Sequence, residues 1–203
     1  MSIFFPLFSR RLTAAWLFAI AGCFLPAANA SSVVPMYLDQ LIDDSAVAFE
    51  GVWTGNRTER DPATGFIVTY TTFDVRDALK GAVGSRYVIK QVGGTLPGGP
   101  QYRVEGVPSF TPGNDYVVFL AGVSSSGFSS PLGLEQGRFK VTVTPGGSRV
   151  GNGRDFKAMA GRMSSHLPPA ERARLERAPG AVRDMDLESF KQSVRNHLAA
   201  VPR

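Results

Sequence analysis

The fold is decided by residues 65–94, which read GFIVTYTTFDVRDALKGAVGSRYVIKQVGG. The stretch contains two runs dense in β-branched and aromatic residues, 66–75 and 86–92, and such side chains favour the pleated surface of a sheet over a helix. A short corner, Leu79-Lys80-Gly81, separates the two runs. The pattern predicts two neighbouring strands. Further strands and helices are predicted on both sides of this stretch.

On the N-terminal side, residues 46–58 alternate as a strand does. Residues 61–65, DPATG, combine a turn-starting Asp-Pro with a glycine able to take a positive φ, so this strand and the next should form a hairpin. Residues 33–44 have apolar side chains at helical spacing after Pro35, which predicts a short helix.

On the C-terminal side, residues 93–100, GGTLPGGP, form a loop without the GK[ST] ending of a phosphate-binding loop. Residues 116–120 are apolar on both faces, and residues 133–143 alternate as a strand with one wet face. Residues 186–200 predict the last helix, since Asp186 can cap its start and apolar residues recur at helical spacing. We expect this helix to dock on its own domain, with a partner as the alternative.

Residues 1–30 resemble an export signal. Arg10 and Arg11 precede an apolar run shorter than the roughly 20 residues that cross a bilayer, and ANA at 28–30 is a small-residue cleavage site. We therefore expect a periplasmic or secreted protein with no transmembrane span after cleavage. The alternative is a lipoprotein, because IAGC at 20–23 resembles a lipobox that would place a lipid anchor on Cys23. Phe24 and the complete ANA site favour ordinary cleavage.

Cleavage after residue 30 would remove the one cysteine of the chain, and with it disulfides, thiolate metal sites and cysteine nucleophiles. The charges are unevenly spread: residues 31–148 hold 9 basic and 11 acidic side chains, and residues 149–203 hold 11 and 6. A basic C-terminal third could meet phosphate, lipid headgroups or polysaccharide. A solvated tail is the simpler interpretation, because its arginines alternate with acids and no aromatic residues interleave them.

Five motifs along the chain carry a resemblance. They are YTTFDV at 70–75, LKG at 79–81, QVGG at 91–94, PSFTPGNDYVVFL at 108–120 and QGRFKV at 136–141. Their succession resembles a group of uncharacterised bacterial exported proteins. Their layout is similar to the oligonucleotide/oligosaccharide-binding (OB) type barrel of netrin modules and tissue inhibitors of metalloproteinases. The resemblance covers about residues 38–143.

The resemblance implies a mainly β fold, a small five-stranded OB-like barrel with a short N-terminal helix and a C-terminal helix. The expected organisation has four parts: an export signal at 1–30, an OB-like β-barrel domain at 31–145, a polar linker with a weak helix at 146–185, and a C-terminal amphipathic helix at 186–203.

The same resemblance implies a function. Some proteins of the bacterial group are associated with matrixin-like zinc proteases, so the resemblance implies an exported binding module of the bacterial envelope, an accessory or inhibitor of a protease. Inhibitors of metalloproteinases hold the catalytic zinc through an N-terminal cysteine. A mature chain without cysteine lacks that device, so no residue is carried over as an active centre.

No catalytic, cofactor-binding or metal-binding residue is predicted, and the protein is not expected to be an enzyme. His166 and His197 are the only imidazoles and belong to no HExxH pattern, and no GxSxG is present. The neighbouring carboxylates lie at predicted helix ends and turns. Two alternatives stay open: an envelope enzyme with an atypical site, and polyanion or polysaccharide binding through the OB-like face. Export makes a nucleic-acid partner unexpected.

The candidate partner-binding residues are aromatic side chains beside glycine-rich loops, the usual contacts of a small barrel. They are Trp53, Tyr102, Phe110 and Phe128. Core packing is the competing interpretation for each, and it is stronger for Trp53 and for Tyr70, a fifth aromatic residue considered. Tyr102 and Phe128 lie in the loop-rich surroundings that favour contact with a partner.

Overall fold

The computed structural model describes residues 34–200. The predicted export signal and Cys23 lie outside these residues. In chain order the elements are α1 (Leu38–Asp44), β1 (Val47–Arg60), β2 (Ile67–Lys80), β3 (Arg86–Val92), β4 (Gly94–Thr95), β5 (Gln101–Tyr102), β6 (Asp115–Leu120), a 3-10 helix (Leu134–Gly137), β7 (Arg138–Thr144), β8 (Gly147–Gly151), α2 (Phe156–Met159), a second 3-10 helix (Gly161–His166), α3 (Pro169–Arg177), β9 (Met185–Asp186) and α4 (Leu187–Ala200). Among residues 34–200 no helix is long and apolar enough to cross a membrane.

Seven strands form one antiparallel sheet in the order β3-β2-β1-β6-β7-β8-β9, and β4 pairs only with β5. The mainly β prediction is confirmed. The sheet stays open, however, so it is not a closed five-stranded barrel: β3 and β9 are its two edges. The difference arises because β8 and β9 extend the sheet past β7, where the prediction ended it.

The hairpin of β1 and β2 is confirmed. The N–H of Asp61 donates to the carbonyl of Phe66 at 2.8 Å, and Gly65 takes a φ of 74°. The two 14-residue strands pair from Ala48 opposite Lys80 to Arg60 opposite Ile67, with three register shifts along the way. Such shifts bend and twist a strand pair.

The sheet separates two apolar cores. In β6, Val117 and Phe119 face one core, while Tyr116, Val118 and Leu120 face the other, as the period of a strand requires. We call the first the helix-side core, because α1, α2, α3 and α4 cover it. The second, the open-side core, is built largely from strand residues and contains the aromatic rings of Phe49, Phe73, Phe110 and Tyr116. Residues 116–120 are therefore buried on both faces, as predicted.

The Leu79-Lys80-Gly81 corner ties β2 to the first helix. Leu79 is buried, and the Lys80 ammonium donates to the carbonyls of Ile42 at 2.6 Å and Asp43 at 2.9 Å. These carbonyls lie at the end of α1, where a cation is favourable. Gly81 has a φ of 79°, and a Cβ there would collide with the Ala46 carbonyl. The motif thus fixes the end of β2 against the end of α1. Strand β2 continues through Lys80, so Leu79 and Lys80 belong to the strand and not to a turn.

Residues 146–185 are packed into the helix-side core, whereas their polar composition predicts a loosely attached linker. The weak helix predicted for this segment is present as α3. The segment has few apolar side chains, but most of the large ones are buried in the helix-side core. The buried apolar residues of this segment are Val150, Phe156, Met159, Ala160, Met163, Leu167, Leu175, Val182 and Met185.

The last helix docks on its own domain, as predicted. The Asp186 carboxylate accepts a hydrogen bond from the N–H of Ser189 at 2.8 Å, which caps the helix start. Phe190 and Val194 are fully buried in the helix-side core. The helix therefore forms one wall of the fold.

A buried charge cluster fixes the same helix to the first hairpin. The Lys191 ammonium lies 2.8 Å from Glu50, 3.1 Å from Asp77 and 2.6 Å from Glu188. Burial acts to lower the pKa of Lys191, but hydrogen bonds to the three carboxylates outweigh it and raise that pKa above its ordinary value. Glu50 and Asp77 pair across β1 and β2, so one cation compensates two neighbouring acids.

The cluster should make the fold sensitive to acid. Burial acts to raise the pKa of Asp77, but hydrogen bonds from Arg195 and Lys191 outweigh it and hold that pKa below its ordinary value. Such a carboxylate stabilises the fold above its unfolded pKa, and the contribution is lost as pH falls through the folded pKa. We expect the free energy of unfolding to drop below about pH 4. Asp77→Asn should flatten this slope in urea titrations, and an unchanged slope in the variant would contradict the assignment.

Candidate functional site

A groove of about 570 Å³ opens on the sheet face that also forms the open-side core. Its floor is polar: Asn56 and Thr58 come from β1, Thr69 and Thr71 from β2, and Gln91 from β3. Asn56 pairs with Thr71, Thr58 with Thr69, and Thr69 with Gln91. Directly opposite residues share a face of an antiparallel sheet, so the five side chains lie together. We call this site the polar groove.

The wall of the polar groove is the chain from Gly93 to Phe110, which includes the β4–β5 hairpin. The Thr69 hydroxyl donates to the Gly93 carbonyl at 2.7 Å and holds the wall against the floor. Gly94 has a φ of 131°, and a Cβ there would collide with Thr69 Oγ1. The QVGG motif thus allows the chain to leave β3 and turn closely over the threonines.

Gln91 is the most informative residue of the floor. It is 4% exposed, and its side-chain Nε2 has no hydrogen-bond partner among the described residues. A buried polar group without a partner costs about 1–3 kcal/mol. Gln91 lines the groove, so its amide is a donor of the floor that lacks a protein acceptor, and it indicates a binding site more directly than the aromatic candidates do.

Three of the predicted aromatic residues belong to the groove or support it. Tyr102 is 45% exposed at the wall, and Phe110 lines the groove while packing edge-on against Phe73 at 5.0 Å. Trp53 packs against the open-side core, and its Nε1 donates to Oδ1 of the Asn56 side chain at 2.9 Å. Trp53 is therefore a positioning residue for Asn56, while Tyr102 is the exposed aromatic surface.

Phe128 and Tyr70 lie on the opposite face of the sheet. Tyr70 and Lys90 pair across β2 and β3. Tyr70 lies between Thr69 and Thr71 in the strand, so its side chain points to the face opposite the groove. The Lys90 ammonium lies 4.6 Å from the Phe128 ring centroid and 3.0 Å from Asp61. Phe128 thus holds its loop on β3, and it is not brought together with Tyr102 and Phe110.

Charge is sparse around the polar groove. Only Arg103 and Glu135 among the lining residues carry a formal charge. The remaining polar groups are hydroxyls, amides and backbone groups, which both donate and accept hydrogen bonds. This composition suits a ligand rich in hydroxyl or amide groups more than a compact ion.

The two histidines, 31 residues apart in sequence, meet in the fold. His197 Nε2 lies 2.8 Å from the Asp43 carboxylate, and the Nδ1 atoms of His197 and His166 are 3.3 Å apart. This chain of contacts joins α1, the second 3-10 helix and α4. Within residues 34–200, no hydroxyl is hydrogen-bonded to either ring, and no group of three or more His, Cys, Asp or Glu is arranged to hold a metal ion. These contacts therefore assign the two histidines a structural role, the linking of three helices.

The fold and the groove define a mainly β protein in which helices cover one sheet face and a polar concavity opens on the other. Comparisons with protein-family models, with curated proteins and with solved structures found no match.

Sequence reasoning missed the floor of the groove. The run Thr69-Tyr70-Thr71-Thr72-Phe73 does carry a signal, because Thr69 and Thr71 share a face with the core residue Phe73. Polar residues that continue an apolar strand face indicate that this face extends beyond the core to a solvent-exposed surface. The role of Gln91 depends on the register between β2 and β3, which no local pattern provides.

Proposed function

We propose that this protein is an exported binding module that holds a hydroxyl-rich ligand in the polar groove. The observation that carries the proposal is the buried, unpartnered amide of Gln91 on the groove floor. Export to the periplasm or beyond is part of the proposal and rests on the sequence of residues 1–30.

The size and chemistry of the groove support binding. Ligand sites usually occupy about 300–1,000 Å³ and place a few polar groups around the ligand, and this groove has about 570 Å³. Amide and hydroxyl side chains offer donors and acceptors to the same ligand. The exposed Tyr102 adds an apolar face against which the ring of a sugar can pack.

The same features favour a ligand seated in a concavity over a protease partner. The buried centre of a protein–protein interface is commonly apolar and aromatic, whereas this floor consists of threonines and amides. A protease-accessory role would need a second surface, and Phe128, one aromatic candidate for it, is occupied with Lys90.

Binding should depend on Gln91 and Tyr102. Applied as the full chain to an array of neutral and acidic glycans, the wild type should bind at least one class. Gln91→Leu and Tyr102→Ala should each weaken that binding by about tenfold, the equivalent of one lost hydrogen bond or ring contact. Tyr37→Ala is the matched control, because Tyr37 is similarly exposed, 41% against 45%, and lies outside the groove lining. An array without signal, or equal binding by all variants, would refute the proposal.

A further inference from the structure

A second groove, of about 390 Å³, lies beside β7 and β8. Arg138, Lys140 and Thr142 of β7, Arg149 of β8, and Arg183 are among the residues that line it. Asp184 is the single acidic residue of the lining. We call this site the cationic groove.

The two grooves open on the same face of the sheet. Lys140 pairs with Tyr116 and Arg138 pairs with Val118, and paired residues share a face. Tyr116 and Val118 belong to the open-side core, the core that continues into the polar floor. The cationic groove therefore flanks this core on the β7 side, and the polar groove flanks it on the β3 side.

Arg138 is the boundary between the grooves. It lines the cationic groove, and its guanidinium donates to the carbonyl of Ser109, a lining residue of the polar groove. It also pairs with Glu135, another residue of the polar groove. Its guanidinium carbon lies 5.9 Å from the Phe110 ring centroid. One side chain thus contacts both concavities, so the two grooves are neighbours on one face.

The cationic groove keeps charge available for a ligand. Arg149 is committed to Asp184 at 2.7 Å and to Glu171 at 3.6 Å. Lys140 is exposed and has no ion-pair partner within the described part of the chain. The exposed Arg183 donates to the Gly153 carbonyl at 2.7 Å, which leaves its charge uncompensated. The groove is therefore net positive through Lys140 and Arg183.

We propose that the ligand is an acidic glycan chain, whose uncharged sugar hydroxyls occupy the polar groove while a carboxylate, sulfate or phosphate group occupies the cationic groove. This inference rests on the proposed binding function of the polar groove. The polar groove would bind neutral and acidic chains alike, and the cationic groove would select the acidic ones.

The distribution of charge favours a glycan over other polyanions. A nucleic acid or an acidic peptide carries charge along its whole length and is best matched by cations along the whole site. Here four cations line one end, whereas the other end has one arginine and one glutamate among threonine hydroxyls and amides. A chain that combines neutral hydroxyl-rich parts with isolated negative groups matches both.

Dextran and dextran sulfate test the inference, because they share a neutral backbone and differ in their acidic groups. By surface plasmon resonance on the full chain, dextran sulfate should bind at least about tenfold tighter than dextran, with a preference that declines as salt is added. Lys140→Gln combined with Arg183→Gln should abolish most of this preference and leave dextran binding unchanged. Arg177→Gln is the control, since Arg177 is exposed at the end of α3 outside both grooves.

Polyglutamate, a polyanion without sugar rings, separates glycan recognition from plain charge attraction. It should bind less tightly than dextran sulfate, and Gln91→Leu should weaken dextran and dextran sulfate but not polyglutamate. Equal binding of polyglutamate and dextran sulfate would overturn the glycan assignment. A double variant that keeps the sulfate preference would overturn the cationic groove alone. If Gln91→Leu bound dextran and dextran sulfate as tightly as the wild type does, the proposed function itself would be overturned.

Discussion

Lys191→Met is expected to lower the free energy of unfolding by about 3–5 kcal/mol, the usual result of leaving a buried charge without its partner. Lys191 and Glu50 have side-chain exposures of 8% and 7%, so water cannot replace the lost ammonium. Asp77 lies beside Glu50 across the hairpin. Without the ammonium, Glu50 would have no cation partner among the described residues, while Asp77 would keep only Arg195.

Urea denaturation at neutral pH measures this change. Arg195→Met is the matched control, because Arg195 also pairs with Asp77 at 2.7 Å but is 42% exposed; solvent-exposed pairs contribute only about 0–1 kcal/mol. Adding Glu50→Gln to Lys191→Met should restore part of the loss, since it removes the orphaned charge. If Lys191→Met alone were as stable as the wild type, the cluster would not be what holds the helix.

Phe190→Ala is expected to cost about 3–5 kcal/mol, the range for removing a buried aromatic side chain. The Phe190 ring is fully buried and lies 5.1 Å from Phe139, 5.9 Å from Phe156 and 6.1 Å from Phe119, centroid to centroid. These rings come from the sheet and from α2, so Phe190 joins the last helix to both. The surrounding backbone belongs to three elements and cannot easily collapse into the space.

Thermal or urea unfolding of Phe190→Ala tests this expectation. Leu198→Ala, on the same helix but only partly buried, should cost clearly less. Below the unfolding transition, Phe190→Ala should keep the glycan binding of the wild type, because Phe190 and the polar groove lie on opposite sides of the sheet. A loss of less than about 1 kcal/mol would contradict the role of this ring.

These two variants and the groove variants divide the protein into two faces. The helix-side core and the Lys191 cluster should contribute to stability without affecting binding. The open side contains the polar and cationic grooves, where substitutions should change binding more than folding. The strand residues between them alternate their side chains toward one face or the other, as in Val117 and Val118 of β6.

Local sequence predicted the elements that depend on neighbouring residues. The turn at 61–65, the doubly buried strand at 116–120 and the cap at Asp186 all follow from residue types within a few positions of one another. The structure has each of them. The polar average of residues 146–185 was misleading, because packing depends on where Phe156 and Met163 point and not on how many apolar residues accompany them.

Periodicity and turn chemistry predict a mainly β chain, its first hairpin and its amphipathic last helix from the residues alone. The tertiary structure makes the sheet open and seven-stranded, and it brings Gln91 beside Thr69 on one floor. It also placed Arg138 between two grooves. Pairing register and the packing of distant segments depend on contacts between residues far apart in sequence, and a local pattern does not specify which of those contacts form.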